Sequence, residues 1–153
     1  RIKDNTNIKW KILYGHRPIY CSTNDYYDCQ ENGPNNIKPI IEPLLNEYSF
    51  DFYFAGHLHN FERTYPVNNF EVISKEYSNF NPNISTINIV IGMAGDDEGI
   101  TTDFISPKPE WSAKRISTLG YYKIHVYNDT TINLKYIQSG TLNILDDITV
   151  VKD

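Results

Sequence analysis

Basic residues are scarce in this 153-residue chain and never form a run: 14 Lys and Arg against 19 Asp and Glu leave a formal charge of −5. That balance lacks the electrostatic footprint of a nucleic-acid-binding surface, so no nucleic-acid partner is expected. No apolar stretch approaches the roughly 18 residues that a membrane span requires, so no span is expected in this chain. Cysteine is nearly absent. Cys21 and Cys29 stand alone in a loop rich in Ser, Asn and Asp. They could close a small disulfide; the alternative is a pair of thiolate metal ligands, although the spacing departs from the short Cys-x2–4-Cys of zinc sites. Initiator methionine is missing too: the chain begins Arg1-Ile2-Lys3-Asp4, which reads as a piece of something longer.

What is present is aromatic and asparagine-rich. Hydrophobic residues make up 40% and aromatic residues 14%, with 12 tyrosines, enough for a real core with many half-wet hydroxyls. Asn83-Ile84-Ser85 and Asn128-Asp129-Thr130 are N-glycosylation sequons. With the cysteine pair they favour a secretory, extracellular or vacuolar/lysosomal setting.

The four histidines carry the chemistry. Phe50 to Ala55, continuously apolar apart from Asp51, reads as a buried strand that empties into Gly56-His57-Leu58-His59. Residues two apart in an extended segment point the same way, so His57 and His59 can aim into one small volume. Upstream, Ile8 to Tyr14 reads as a second strand ending in Gly15-His16-Arg17-Pro18. Two parallel strands delivering histidine at their carboxyl ends is how an open α/β sheet builds a ligand site, and imidazole is the commonest metal-binding side chain. The expected ligands are His16, His57 and His59. His125 lies inside the alternating run Tyr122–Tyr127 and is expected at the surface. Among carboxylates, Asp51 lies within its strand, and Asp96 and Asp97 are candidates by loop position alone. Glu62-Arg63 reads as a structural ion pair beneath the site, and Arg17 as a residue that can anchor its turn.

Periodicity supplies the architecture. Ile37, Ile40, Ile41, Leu44, Leu45 and Tyr48 have helical spacing with Asn35 or Asn36 as N-cap, which completes a βαβ unit. A short strand is expected over 70–73 and a β-branched buried strand over 87–91. Trp111-Ser112-Ala113 is expected in a loop. The runs 120–127, 131–138 and 142–151, separated by Asn128-Asp129 and Ser139-Gly140, read as an antiparallel meander.

At this point the motifs carry a resemblance. His16-Arg17-Pro18-Ile19-Tyr20-Cys21-Ser22 and Phe54-Ala55-Gly56-His57-Leu58-His59-Asn60-Phe61-Glu62-Arg63 resemble the last two motifs of purple acid phosphatases, calcineurin-like metallophosphoesterases. Gly92–Gly99, Trp111-Ser112-Ala113 and Gly120-Tyr121 resemble that family's C-terminal segment. The resemblance implies α/β architecture: the C-terminal half of a four-layer αββα sandwich, its mixed sheet ending in the meander. Residues 1–153 would be the C-terminal part of one catalytic domain, 1–66 the metal-ligand βαβ portion and 86–153 the family's C-terminal segment. It implies a dinuclear centre of Fe(III) plus a divalent Zn, Mn or Fe ion, with His16 and His57 on the divalent ion and His59 on the ferric iron. The Asp-x-Gly, Gly-Asp-x-x-Tyr and Gly-Asn-His motifs would lie upstream of Arg1, so this piece alone should not build the complete site.

The implied reaction is hydrolysis of phosphate monoesters by attack of a metal-bound hydroxide, on a phosphorylated small molecule or phosphoprotein. Plant members carry a histidine about ten residues past the His16 position; here Asp25 and Tyr26 stand in that neighbourhood as the candidates for leaving-group or phosphate contact. Two other readings compete: a catalytically inactive scaffold or binding protein of the same fold, and a structural zinc site using His16, His57 and His59, with or without a cysteine.

Overall fold

The computed structural model of the chain describes residue 5 and residues 7–24, 29, 37–95 and 97–153. Asp25, Tyr26, Asn35, Asn36 and Asp96 lie outside the described residues. Strand β1 (Ile12–Gly15) is joined through helix α1 (Lys38–Glu47) to β2 (Phe52–Ala55). There follow β3 (Phe61–Thr64), β4 (Val67–Asn68), β5 (Glu71–Val72), β6 (Ile87–Ile91), β7 (Ser112–Ile116), β8 (Gly120–Val126), β9 (Thr131–Gln138) and β10 (Ile144–Val151). A mixed sheet has the order β1-β2-β6-β3-β7, in which β1, β2 and β6 are parallel and β3 runs antiparallel to β6 and β7. The meander forms a second, antiparallel sheet, β10-β9-β8.

Strand alternation decides which side chain meets which layer. Phe52, Ile87, Ile89 and Phe61 of the mixed sheet are buried with Ile132, Leu134, Tyr136, Ile148 and Val150 of the antiparallel sheet, and this inter-sheet layer is the main core. Tyr53 and Ala55, the intervening residues of β2, face the other way onto Leu45 of α1, Ile19, Tyr20 and Trp111. Helix, mixed sheet and antiparallel sheet thus stack as three layers, the arrangement expected of an α/β metallophosphoesterase half-sandwich. Among the described residues β1 is the outermost strand on its side, and its Tyr14 is 83% exposed.

Several elements depart from the sequence reading. The first strand is shorter than Ile8–Tyr14, because pairing with β2 begins only at Ile12↔Phe52. Helix α1 starts without a side-chain cap, Ile37 taking the N-cap position. Its apolar stripe is split: Ile37, Ile41 and Leu45 pack inward, one turn apart, while Ile40 is 68% and Leu44 43% exposed. The face beside the inward row is taken by Lys38 and Glu42, whose ion pair (2.7 Å) is buried against Tyr20 and Phe70. The short strand expected over 70–73 is β5, the second arm of a hairpin with β4; Asn69 and Phe70 at its tip both have positive φ, as a two-residue hairpin turn demands. Ser112–Ile116 is no loop. It is an edge strand on β3, with Trp111 buried just before it.

Candidate metal centre

Parallel pairing sets the site. Gly15 lies opposite Ala55 in the register of β1 and β2, so both chains leave the sheet at the same edge. The Gly56 amide donates to the His16 carbonyl at 3.1 Å and holds the two exits side by side. Gly15 has to be glycine: a Cβ there would sit 2.6 Å from the Tyr53 hydroxyl, which donates to the Arg17 carbonyl at 2.7 Å and fixes the loop after His16. The left-handed backbone angle falls on His57 itself (φ +65°) and not on Gly56. Such a conformation in a residue with a Cβ is costly and concentrates at functional sites. Leu58 is fully buried against Cys21 and Val90, anchoring the segment between the two histidines.

His16 Nε2 and His57 Nδ1 approach to 3.2 Å, with the rings edge-on, centroids 5.0 Å apart and planes at 69°. Two imidazole nitrogens each bound at about 2.0–2.1 Å to one ion would lie about 2.9–3.4 Å apart at octahedral to tetrahedral angles. The observed separation lies within that range. Arg17 Nη1 lies 3.4 Å from the other nitrogen of His57, bringing a permanent cation to the rim.

His59 stands apart. Its Nδ1 is 2.9 Å from the Gly99 carbonyl, an acceptor only, so Nδ1 carries a proton. Orientation of a ligating histidine by a backbone carbonyl is the usual outer-shell device of metal sites. Glu98 Oε2 lies 3.9 Å from His59 Nε2. Among the described residues no three His, Cys, Asp or Glu side chains gather closely enough to hold one ion. His16 and His57 thus stand together, and His59 makes its own contact with Gly99. A compact zinc site with a cysteine is not formed, since Cys21 and Cys29 are bonded to each other.

The carboxylates near the histidines in sequence serve the framework. Asp51 is fully buried just before β2, accepts from the Lys11 amide at 2.7 Å and pairs with Lys152 at 2.7 Å. Glu62 and Arg63 do not pair with each other, as the sequence reading had it, because consecutive strand residues face opposite ways. Arg63 turns toward the inter-sheet core and forms a two-pronged ion pair with Asp146 (2.7 and 2.8 Å), assisted by the Tyr77 hydroxyl. Glu62 turns the other way. It accepts from the Ser22 amide (2.8 Å), the Ser22 hydroxyl (2.6 Å) and the Ser112 hydroxyl (2.6 Å). Burial pushes its carboxyl above the ordinary range, against the pull of those donors and of Arg115. This clamp joins the loop that follows His16 to the strand that follows His59. Sequence reasoning missed it, because a Glu-Arg pair between Phe61 and Thr64 has no apolar run to mark it as buried.

One further close approach shapes the site: a Cβ on Gly92 would lie 2.0 Å from the Leu58 carbonyl, so the end of β6 presses directly on the His57–His59 backbone. Asn60, next in line, is fully buried with neither amide atom partnered. His125 is exposed on β8 and lies against Tyr127, centroids 4.4 Å apart and planes tilted by 51°. Asn83 and Asn128 are also exposed; the Asn128 side-chain oxygen accepts from the Thr130 amide and hydroxyl of its own sequon.

Known families place this geometry. Residues 2–61 match the model of calcineurin-like phosphoesterases, and residues 85–147 match that of the iron/zinc purple acid phosphatase-like protein C segment. The chain belongs to the purple acid phosphatase group of calcineurin-like metallophosphoesterases. It is 34% identical over 161 residues to human acid phosphatase type 7, covering 98% of this chain and 36% of that protein. Probable inactive purple acid phosphatase 27 of Arabidopsis thaliana is 29% identical over 146 residues, covering 94% of this chain and 23% of that protein. The structure of a purple acid phosphatase from yellow lupin (Lupinus luteus) seeds superimposes with a TM-score of 0.78 at 27% identity, over 94% of this chain and 25% of that one. The chain thus spans about a third or less of the length of these relatives. Among the described residues no helix is long and apolar enough to cross a membrane.

Proposed function

We propose that the chain is the histidine-bearing part of a dinuclear metallophosphatase that hydrolyses phosphate monoesters. The observation that carries this reading is the 3.2 Å approach of His16 Nε2 and His57 Nδ1, which matches two ligands of one ion. His16 and His57 would hold the divalent ion, and His59, oriented by the Gly99 carbonyl, would be a ligand of the ferric ion. The metal pair, when bound, supplies the positive charge that stabilises a phosphoryl group under attack by water. Arg17 adds a fixed cation beside His57 that favours a dianionic phosphate. Substrates of this class are phosphorylated small molecules or phosphoproteins. The Cys21–Cys29 disulfide and the exposed sequons at Asn83 and Asn128 support a secretory, extracellular or vacuolar/lysosomal setting and glycosylation at both asparagines.

A second reading, an inactive scaffold of the same fold, is favoured by the relative named as probably inactive. The experiment that separates them uses the full-length protein. His57→Ala and His59→Ala are each expected to release metal and to lower phosphate-ester turnover by at least a hundredfold. Turnover retained in either variant would overturn the phosphatase reading, and an unsubstituted protein that binds metal but turns over no ester would establish the scaffold.

A further inference from the structure

The two cysteines of the chain are bonded to each other, and their bond lies against the segment that carries two of the histidines. Cys21, Leu58 and Val90 form a small buried cluster separate from the two larger cores, and the half-buried Cys29 packs against it. Leu58 stands between His57 and His59 and is fully buried there. The segment needs that anchor. His57 holds a positive φ, a conformation that persists only where its surroundings over-determine it.

The chain beyond Cys21 is fastened without the disulfide. Ser22 is bound by Glu62 through its amide and its hydroxyl, Thr23 bridges to Phe104, and the Asn24 amide donates to the Asp103 carbonyl at 2.9 Å. Cys29 has the Thr23 hydroxyl 3.3 Å from its sulfur, a weak contact beside a covalent bond. We propose that the Cys21–Cys29 disulfide is a thiol-sensitive lock on the His57–His59 segment: closed, it holds Cys29 over the cluster that seats Leu58, and opened, it loosens the grip of both histidines on metal. The proposal rests on the reading of His57 and His59 as ligands. In the opening step a small dithiol supplies two electrons and two protons. The sulfur–sulfur bond breaks, both cysteines become thiols, and the dithiol closes into its own disulfide. Cys21 still fills its place against Leu58, so what is lost is the cover that Cys29 supplies. The effect is local, because the inter-sheet core contains neither cysteine.

The test uses the full-length protein, oxidised or treated with dithiothreitol and desalted under argon. Two quantities are read: hydrogen exchange of the Leu58 amide, which donates to the Gly56 carbonyl at 2.8 Å, and the rate of zinc loss to excess EDTA. Reduction is expected to raise both about tenfold, to leave the amides of β9 unchanged, and to be undone by reoxidation. Cys29→Ser is expected to behave as the reduced protein without treatment, which removes any direct action of the reductant on metal. Should that variant fail to fold, reduction of the folded protein still decides. Zinc loss unchanged by reduction, or exchange that rises equally in β9, would overturn the lock and leave the phosphatase reading standing. Zinc bound by neither form, with the Leu58 amide still responding to reduction, would sink the metal-centre reading and keep the lock on the segment.

Discussion

Removing the Glu62 carboxylate tests the central claim about how the two histidine loops are held. Glu62 is buried with three donors aimed at it, two from Ser22 and one from Ser112, and both serines are fully buried. Glu62→Ala strands those donors; each buried unsatisfied group costs about 1–3 kcal/mol. The hydroxyls can rotate toward other acceptors, but the Ser22 amide cannot, and burial of the charge is relieved. A net loss of about 3 kcal/mol is expected. Glu62→Gln keeps the shape: its amide oxygen accepts from the Ser22 amide and its NH2 donates to hydroxyls that can turn. It exchanges charge-assisted bonds for neutral ones while no longer burying a charge, so the expected loss is about 1 kcal/mol.

The pH dependence carries a sign. Burial holds the carboxyl of Glu62 above its ordinary value of 4.5, so the folded protein binds this proton more tightly than the unfolded chain does. The contribution of Glu62 to stability is then greatest below that value and falls as pH rises through the raised one. In Glu62→Gln that fall is absent, and the stability difference between wild type and variant should shrink from acid toward neutral pH. Urea unfolding of the full-length proteins at steps from pH 4.5 upward measures it. Equal stability of Glu62→Ala and wild type, or a Glu62→Gln variant as damaged as Glu62→Ala, would refute the clamp. A difference that grows with pH would refute the sign.

Two other substitutions probe the frame. Gly92→Ala places a methyl 2.0 Å from the Leu58 carbonyl and is expected to displace the His57–His59 segment, costing more than about 2 kcal/mol together with metal retention; a fully metallated variant of unchanged Tm would contradict it. Arg63→Ala leaves Asp146 buried without its partner and should cost about 3–5 kcal/mol, while the double substitution Arg63→Met with Asp146→Leu should recover most of that loss. Denaturation of the single and double variants checks the pair, and a double variant no more stable than the single would show that the ion pair itself holds β3 to β10.

What could be read from the sequence was whatever obeys one period. The meander announces itself by alternation because its strands have one face toward the inter-sheet core; β2 and β6 announce themselves as short apolar runs because both their faces are covered. The histidines were legible for the same reason, each being the first chemistry to appear after such a run. Strand β3 was not. Its four residues are all buried, yet two are charged, and a buried Glu-Arg pair has the composition of a surface turn. Strand β7, Ser-Ala-Lys-Arg-Ile, hides likewise, because it is an edge strand in which Lys114 is exposed and Arg115 finds its partner outside the strand. Helix α1 misleads in the opposite sense: its stripe is apolar enough to predict a buried face, but proximity to Tyr20, Asn69 and Phe70 gives the interface beside that face to Lys38 and Glu42.

These failures share a cause that bears on the site. A charged residue in a buried strand is tolerated only where something specific receives it, and on β3 two consecutive residues are received on opposite sides of one sheet. Arg63 fastens the mixed sheet to the antiparallel sheet through Asp146; Glu62 fastens the His16 loop and β7 to the strand leaving His59. A slip of one residue in the register of β3 would turn both side chains to the wrong faces, in one direction placing a carboxylate against Asp146 and in the other a guanidinium among hydroxyls that already face Arg115. The pair thus fixes the register at the point where the chain has just delivered His57 and His59, and the geometry of the proposed metal centre depends on two charges held within the framework.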